Sequence, residues 1–136
     1  MMAPPKFSLY SRVLVFNFHS QLLLVKHPKR GWEIPGGRVR EKESIRLAAI
    51  REVKQKVGMN IKLIKYCGVF QDLRSHKCEL LFIGKPISGR IAVGEEVDDA
   101  AYFPVDTAMR MISQRIVKQQ IMYCLHEKRH PFIVEY

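Results

Sequence analysis

The stretch that decides the fold is GWEIPGGRVREKESIRLAAIREVKQKVGM, residues 31–59. Near its start, Pro-Gly-Gly at 35–37 ends a short extended segment, and two successive glycines let the backbone approach another group closely. From Ser44 to Val57 apolar residues recur every four residues with charged residues between them, which predicts an amphipathic helix. Gly58 follows where a left-handed C-terminal cap is expected, so we expect the helix to end there.

The segments before residue 31 predict strands. The runs Ser8 to Phe18 and Leu22 to Lys26 are rich in aliphatic and β-branched residues. They are separated by a polar break of hairpin length, which predicts two antiparallel strands. Beyond the helix, strands are predicted at Ile61 to Phe70, Lys77 to Gly84 and Ala100 to Val105, with an irregular loop from Lys85 to Asp99.

A closing helix is predicted from the apolar stripe Val117, Ile121, Cys124 and Leu125, with Ser113 as its N-cap. The residues from His130 onward are expected to form a tail. This order of strands and helices predicts an α/β fold, a mixed sheet with helices on both faces. The length of 136 residues predicts one domain spanning 1–136.

The composition describes a folded protein with a strong positive charge. Hydrophobic residues make up 47% of the chain, which excludes a disordered chain, and the formal net charge is +10. Such a charge attracts phosphates, so a phosphorylated ligand or RNA is one interpretation and scattered, solvated charge is the other. Three widely spaced cysteines give no disulfide or zinc framework and favour a cytoplasmic protein. The apolar segment 13–25 is too short to cross a bilayer, so no membrane association is expected.

Five residues in fixed register carry the chemistry, namely Gly37, Glu43, Arg51, Glu52 and Gly58. Their spacing resembles the Nudix box, and the preceding GWEIPGG resembles the lead-in of that family. The segment from Glu96 to Val105 more loosely resembles the later acidic-then-aromatic strand. The resemblance implies an α/β/α sandwich and Mg²⁺- or Mn²⁺-dependent hydrolysis of a nucleoside diphosphate linked to another group.

The resemblance also implies roles for individual residues. Glu43 and Arg51 would stabilise the motif, and Glu52 and Glu96 would act in catalysis. Metal contacts would come from Glu52, Gln55 and the Gly37 carbonyl. Arg38 and Arg40, beside the loop, could gather phosphates, although a solvated basic face is an equally good interpretation.

Two positions depart from the family pattern, because Gln55 and Lys56 stand where the motif has glutamates. At helical spacing these residues share one face with Glu52. Mg²⁺ requires oxygen ligands, and a lysine ammonium about 4 Å from a divalent ion is repelled by roughly 8 kcal/mol at an effective dielectric near 20. The sequence therefore leaves two functions open: an impaired Nudix hydrolase, or a Nudix-fold module that binds a nucleotide or RNA phosphate through Lys56 without cleaving it.

Other residues receive structural interpretations. We expect Trp32 to pack rather than to stack on a base, and the methionines at 109, 111 and 122 to fill the core. Lys56 as a plain surface lysine is as well supported by the sequence as Lys56 in the site.

Overall fold

The computed structural model describes residues 2–136 and contains eight strands and three α-helices within them. The strands are β1 Ser8–Val15, β2 Leu22–His27, β3 Gly31–Glu33, β4 Gly36–Arg38, β5 Asn60–Asp72, β6 Lys77–Ser88, β7 Asp99–Phe103 and β8 Phe132–Glu135. The helices are α1 Ile45–Val57, α2 Val105–Met111 and α3 Arg115–Cys124, followed by a 3-10 turn at Glu127–Arg129.

The strands form two sheets, and this corrects the predicted hairpin of the first two strands. One sheet has the order β4-β1-β6-β5-β8 and the other β3-β2-β7. β1 is occupied on both edges, antiparallel by β4 and parallel by β6. β6 occupies one edge of β1 along its whole length, and β4 occupies part of the other edge. β2 pairs antiparallel with β3 and β7 instead, and the two predicted segments meet at the bridge Phe16–Leu22, next to the hydrogen bond from the Asn17 N–H to the Gln21 carbonyl.

Both faces of the sheets are covered, as the alternation of buried residues shows. On β1, Leu14 packs into a cluster with α2 and α3, whereas Val13 and Val15 pack into a second cluster with α1. On β2, Leu24 belongs to the first cluster and Val25 belongs to the second. Because successive side chains of a strand point to opposite faces, helices lie on both sides, which confirms the predicted α/β architecture with a mixed sheet.

Several predicted boundaries were wrong for identifiable reasons. β6 continues to Ser88, because it pairs with the long β5 as far as Asn60, so the predicted loop from Lys85 is shorter. Pro104 caps α2 instead of closing a strand at Val105, and its carbonyl accepts from Ala108.

The C-terminal region departs further from prediction. Gln114, not Ser113, precedes α3, and it makes no side-chain cap hydrogen bond. The predicted tail forms β8, which pairs parallel to β5 and buries Phe132. Among residues 2–136, no helix combines the length and apolar character needed to cross a bilayer.

Candidate functional site at the double-glycine loop and helix α1

Helix α1 is fixed at both ends, so the side chains on its surface have defined positions. Ser44 Oγ accepts from the Leu47 backbone N–H at 3.1 Å, and Gly58 ends the helix with a left-handed φ of 75°. The buried Ser11 hydroxyl on β1 donates to the Ile45 carbonyl at 2.8 Å. These contacts confirm the predicted helix and attach its first turn to the central sheet.

The Arg51 guanidinium holds the preceding loop against α1. It binds Glu43 through two bonds, Nε to Oε2 at 2.6 Å and Nη2 to Oε1 at 2.9 Å. It also donates to the Arg38 carbonyl at 3.1 Å and to Glu52 Oε1 at 3.0 Å. The Arg51 hydrogen bond, followed by one from the Arg40 N–H, lowers the pKa of Glu43 to about 2. Glu43 and Arg51 therefore form an ion pair. The motif-stabilising role that the family resemblance implies for them stays a prediction.

We call Pro35-Gly36-Gly37, where the chain enters β4, the double-glycine loop. Both of its glycines are required because other groups of the protein approach them closely. A Cβ at Gly36 would lie 2.2 Å from the Ser11 carbonyl oxygen, because β4 pairs tightly with β1. A Cβ at Gly37 would lie 2.4 Å from Glu52 Cδ. The space that any other side chain would need at position 37 is thus filled by the Glu52 carboxylate.

The Lys56 ammonium lies at the centre of the site. It donates to the Gly36 carbonyl oxygen, and it lies 3.6 Å from Glu52 Oε2. Each of the two side chains exposes only 12% of its surface. Lys56 and Glu52 therefore converge on the double-glycine loop and do not extend into solvent.

The donor set does not fit a divalent cation. Glu52 is the only carboxylate among the three helix residues proposed for the site, and its two oxygens face Arg51 and Lys56. The side-chain amide oxygen of Gln55, Oε1, accepts a hydrogen bond from Arg51 Nη1 at 3.1 Å. Within residues 2–136, no cluster of three or more His, Cys, Asp or Glu side chains could hold a metal ion. A hard divalent ion needs several oxygen ligands, and here the nearby side-chain oxygens already face the cationic groups of Arg51 and Lys56.

Arg38 and Arg40, which were predicted to bind substrate phosphates, lie in two different environments. Arg38 contributes its carbonyl to Arg51, while its guanidinium lies 5.8 Å from the centre of the Tyr10 ring. Arg40 is exposed, and its N–H donates to Glu43. Their assignment to substrate phosphates stays a prediction.

Glu96 lies on a segment that docks on the C-terminal end of α1. The Ala92 N–H donates to the Val57 carbonyl at 2.8 Å, and the Gly94 N–H donates to the Lys56 carbonyl at 3.0 Å. Glu96 itself is exposed and forms no hydrogen bond or ion pair with other residues of the range 2–136. The segment thus reaches the helix turn that carries Lys56, and a catalytic role of Glu96 stays a prediction.

A polar pocket between β1, β6 and α3 was missed from the sequence. It has a volume of about 240 Å³, and its walls include Arg12, Arg30, Glu79 and Gln120. Arg12 Nε lies 3.3 Å from Glu79 Oε2, and the fully buried Gln120 amide also donates to that oxygen. The available signal was a charged residue inside each of two apolar strands, since buried charges are rare unless paired.

The buried Glu33 is influenced by charges of both this pocket and the α1 site. Burial is the largest single effect and by itself raises the pKa of its carboxyl. The hydrogen bond from Arg30 and the charges of Arg12, Arg30 and Lys56 together outweigh burial, so the pKa of Glu33 is lowered.

The fold and the loop-helix site define a Nudix-type domain, and comparison with known proteins agrees. A NUDIX domain family model matches residues 8–122, so the chain belongs to the Nudix family. The solved structure of a NUDIX hydrolase from Nitrosomonas europaea superposes with a TM-score of 0.84, covering 100% of this chain and 82% of that one. The identity is 16%, so this likeness concerns the fold alone.

Two relatives come from Bacillus subtilis (strain 168), and both are described as putative 8-oxo-dGTP diphosphatases. One, YtkD, is 39% identical over 64 residues, covering 47% of this chain and 40% of the relative. The other is 37% identical over 89 residues, covering 65% of this chain and 59% of the relative. The chain therefore matches less than two thirds of the length of each of these relatives.

Proposed function

We propose that this chain binds the phosphate groups of a nucleotide at the Lys56 ammonium and does not hydrolyse them efficiently. The observation that carries the proposal is the position of that ammonium, between the Gly36 carbonyl and Glu52. A lysine ammonium has three N–H donors. Gly36 accounts for one of them and Glu52 lies only at ion-pair distance, which leaves N–H donors for a phosphate oxygen, and lysine binds phosphate in this way in other sites.

The remainder of the ligand is assigned to the pocket beside Arg12. In the antiparallel register of β1 and β4, Arg12 pairs with Gly36, so the backbone of Arg12 lies one strand away from the carbonyl that accepts from Lys56. The guanidinium groups of Arg12 and Arg30 suit further phosphates, and Tyr10 offers an aromatic surface. The names of the Bacillus relatives support a nucleoside diphosphate linked to another group as the ligand class.

A slow hydrolase is the second candidate, and one observation favours it. Glu52 is retained against Gly37, and the segment carrying Glu96 docks on α1. A substrate that supplied phosphate oxygens could complete a Mg²⁺ or Mn²⁺ site with these carboxylates. The mismatch between the present donor set and a divalent ion makes this the weaker candidate.

Calorimetric titration with a panel of nucleoside triphosphates and dinucleotides, with and without Mg²⁺, tests the proposal. Binding is expected without metal and should weaken at least about 10-fold in Lys56→Gln, the loss of one charged hydrogen bond. Lys54→Gln is the matched control, because Lys54 is an exposed lysine of the same helix. Equal affinity of Lys56→Gln and wild type would overturn the proposal. Metal-dependent phosphate release that Glu52→Gln abolishes would establish the hydrolase instead.

A further inference from the structure

A basic groove lies on the outer face of α3, on the side away from the core. It has a volume of about 480 Å³, and its lining includes the basic residues Arg115, Lys118, His126 and Arg129. Met122 and Tyr123, which we call its floor, contribute the apolar part of the lining. Arg115, Lys118 and Met122 follow one another at helical spacing and so share one face. The core face of the helix is formed by other residues, including Val117 and Ile121.

The cations of this groove are not neutralised within the protein. No carboxylate side chain borders the groove. In the described range 2–136, none of Arg115, Lys118 and Arg129 has a carboxylate within ion-pair distance. The groove therefore concentrates positive charge that an anionic partner would neutralise.

The floor of the groove adds apolar surface to this charge. Met122 is 59% exposed, which corrects its predicted place in the core. Arg129 lies 4.8 Å from the centre of the Tyr123 ring, so the guanidinium plane is held at the edge of the groove. A partner that fits must offer both negative charges and flat apolar groups.

We propose that this groove binds single-stranded nucleic acid. A single strand presents phosphates to Arg115, Lys118 and Arg129 and places unpaired bases on Met122 and on the Arg129 plane. A duplex hides its base faces, and an acidic peptide carries charge without flat apolar rings, so both use only part of the groove. The surface is separate from the Lys56 site, and the inference does not depend on the function proposed for that site.

Fluorescence anisotropy with a labelled 12-nucleotide strand, as RNA and as DNA of the same sequence, tests this assignment over a range of salt concentrations. The variant Arg115→Gln/Lys118→Gln/Arg129→Gln is expected to bind at least about 10-fold more weakly. Its plot of log K against log salt should become shallower by about 2, since each phosphate contact to a single strand contributes about 0.7. Met122→Ala should weaken binding by about threefold without changing that slope, because it removes contact with a base and no charge.

A matched control removes three exposed cations elsewhere, as Lys62→Gln/Lys85→Gln/Arg90→Gln, and should change affinity less than about twofold. Arg115→Gln/Lys118→Gln serves if the triple variant does not fold. Absence of binding by the wild type, an equal loss in the control, or equal affinity for a duplex or a glutamate-rich peptide would each overturn the proposal. Calorimetric titration with a mononucleotide distinguishes the two sites. The triple variant of α3 should still bind the mononucleotide, and Lys56→Gln should still bind the single strand.

Discussion

The Lys56 ammonium donates to the carbonyl oxygen of Gly36, twenty residues earlier in the chain. A helix side chain thus places a fixed positive charge against the loop where the family motif predicts a metal-binding surface. Glu52, 3.6 Å away, compensates part of that charge. The site consequently has a cation that is part of the protein, and the phosphate binding that we propose for it would not require a bound metal.

Restoring the two motif glutamates should restore hydrolysis. In Gln55→Glu/Lys56→Glu, three carboxylates would share one face of α1, which is the donor set that a hard divalent ion requires. We expect phosphate release from a nucleoside triphosphate in Mg²⁺ to rise by orders of magnitude over wild type. Gln55→Glu alone is the control and should gain little, because Lys56 still repels the metal. No gain in the double variant would mean that the site is built differently.

The Glu43–Arg51 ion pair should make stability depend on acid pH. The pKa of Glu43 is about 2 in the folded protein, against 4.5 ordinarily. Its contribution is therefore fully present above pH 4.5 and is lost as the pH falls toward 2. The melting temperature of Glu43→Gln should lie below that of wild type at neutral pH, and the difference should shrink through this window. Glu41→Gln, at an exposed position, should show no such convergence.

Gly37→Ala should be destabilising because of one defined contact. The added Cβ would lie 2.4 Å from Glu52 Cδ, and overpacking of this kind costs about 1–3 kcal/mol. Chemical denaturation measures the loss. In the Glu52→Ala background, which lacks the opposing carboxylate, the same change at Gly37 should cost much less than it does in the wild type. An equally large loss in both backgrounds would place the cost in the backbone.

The buried carboxylate of Glu79 should contribute far more to stability than an exposed one. Arg12 and Glu79 expose only 14% and 12% of their side chains, and removal of one partner from a buried pair costs about 3–5 kcal/mol. Glu79→Gln is expected near the lower end of that range, since the amide can still hydrogen-bond. Asp106→Asn is the control, because its 3.9 Å pair with Arg110 is exposed, and exposed pairs contribute about 0–1 kcal/mol. Similar unfolding free energies for the two variants would contradict the burial argument.

The sequence predicted the helix of the site well, because the residues that define this helix lie within the helix and at its two ends. Ser44, the four-residue apolar repeat and Gly58 define α1 without reference to the rest of the chain. The pairing of strands is not local: whether β1 pairs with β2 depends on β6, more than sixty residues away, which takes the available edge. Short elements such as α2 and β8 were missed because their contacts, not their periodicity, stabilise them.

The same difference between local and long-range contacts explains which parts of the functional site could be predicted from the sequence. Spacing alone brought Glu52, Gln55 and Lys56 to one face of α1, and the structure places Lys56 beside Glu52 as that spacing requires. The pocket lined by Arg12, Glu79 and Gln120 joins residues from β1, β6 and α3. No sequence motif connects these three elements, so only the fold could reveal the pocket.

Titration with Mn²⁺, followed through the broadening of the Gly37 backbone amide signal, tests most directly whether Lys56 occupies the position of a metal. We predict no saturable broadening in the wild type over the concentrations at which Gln55→Glu/Lys56→Glu saturates. Saturable broadening of wild-type Gly37 at similar concentrations, lost in Glu52→Gln, would contradict this account.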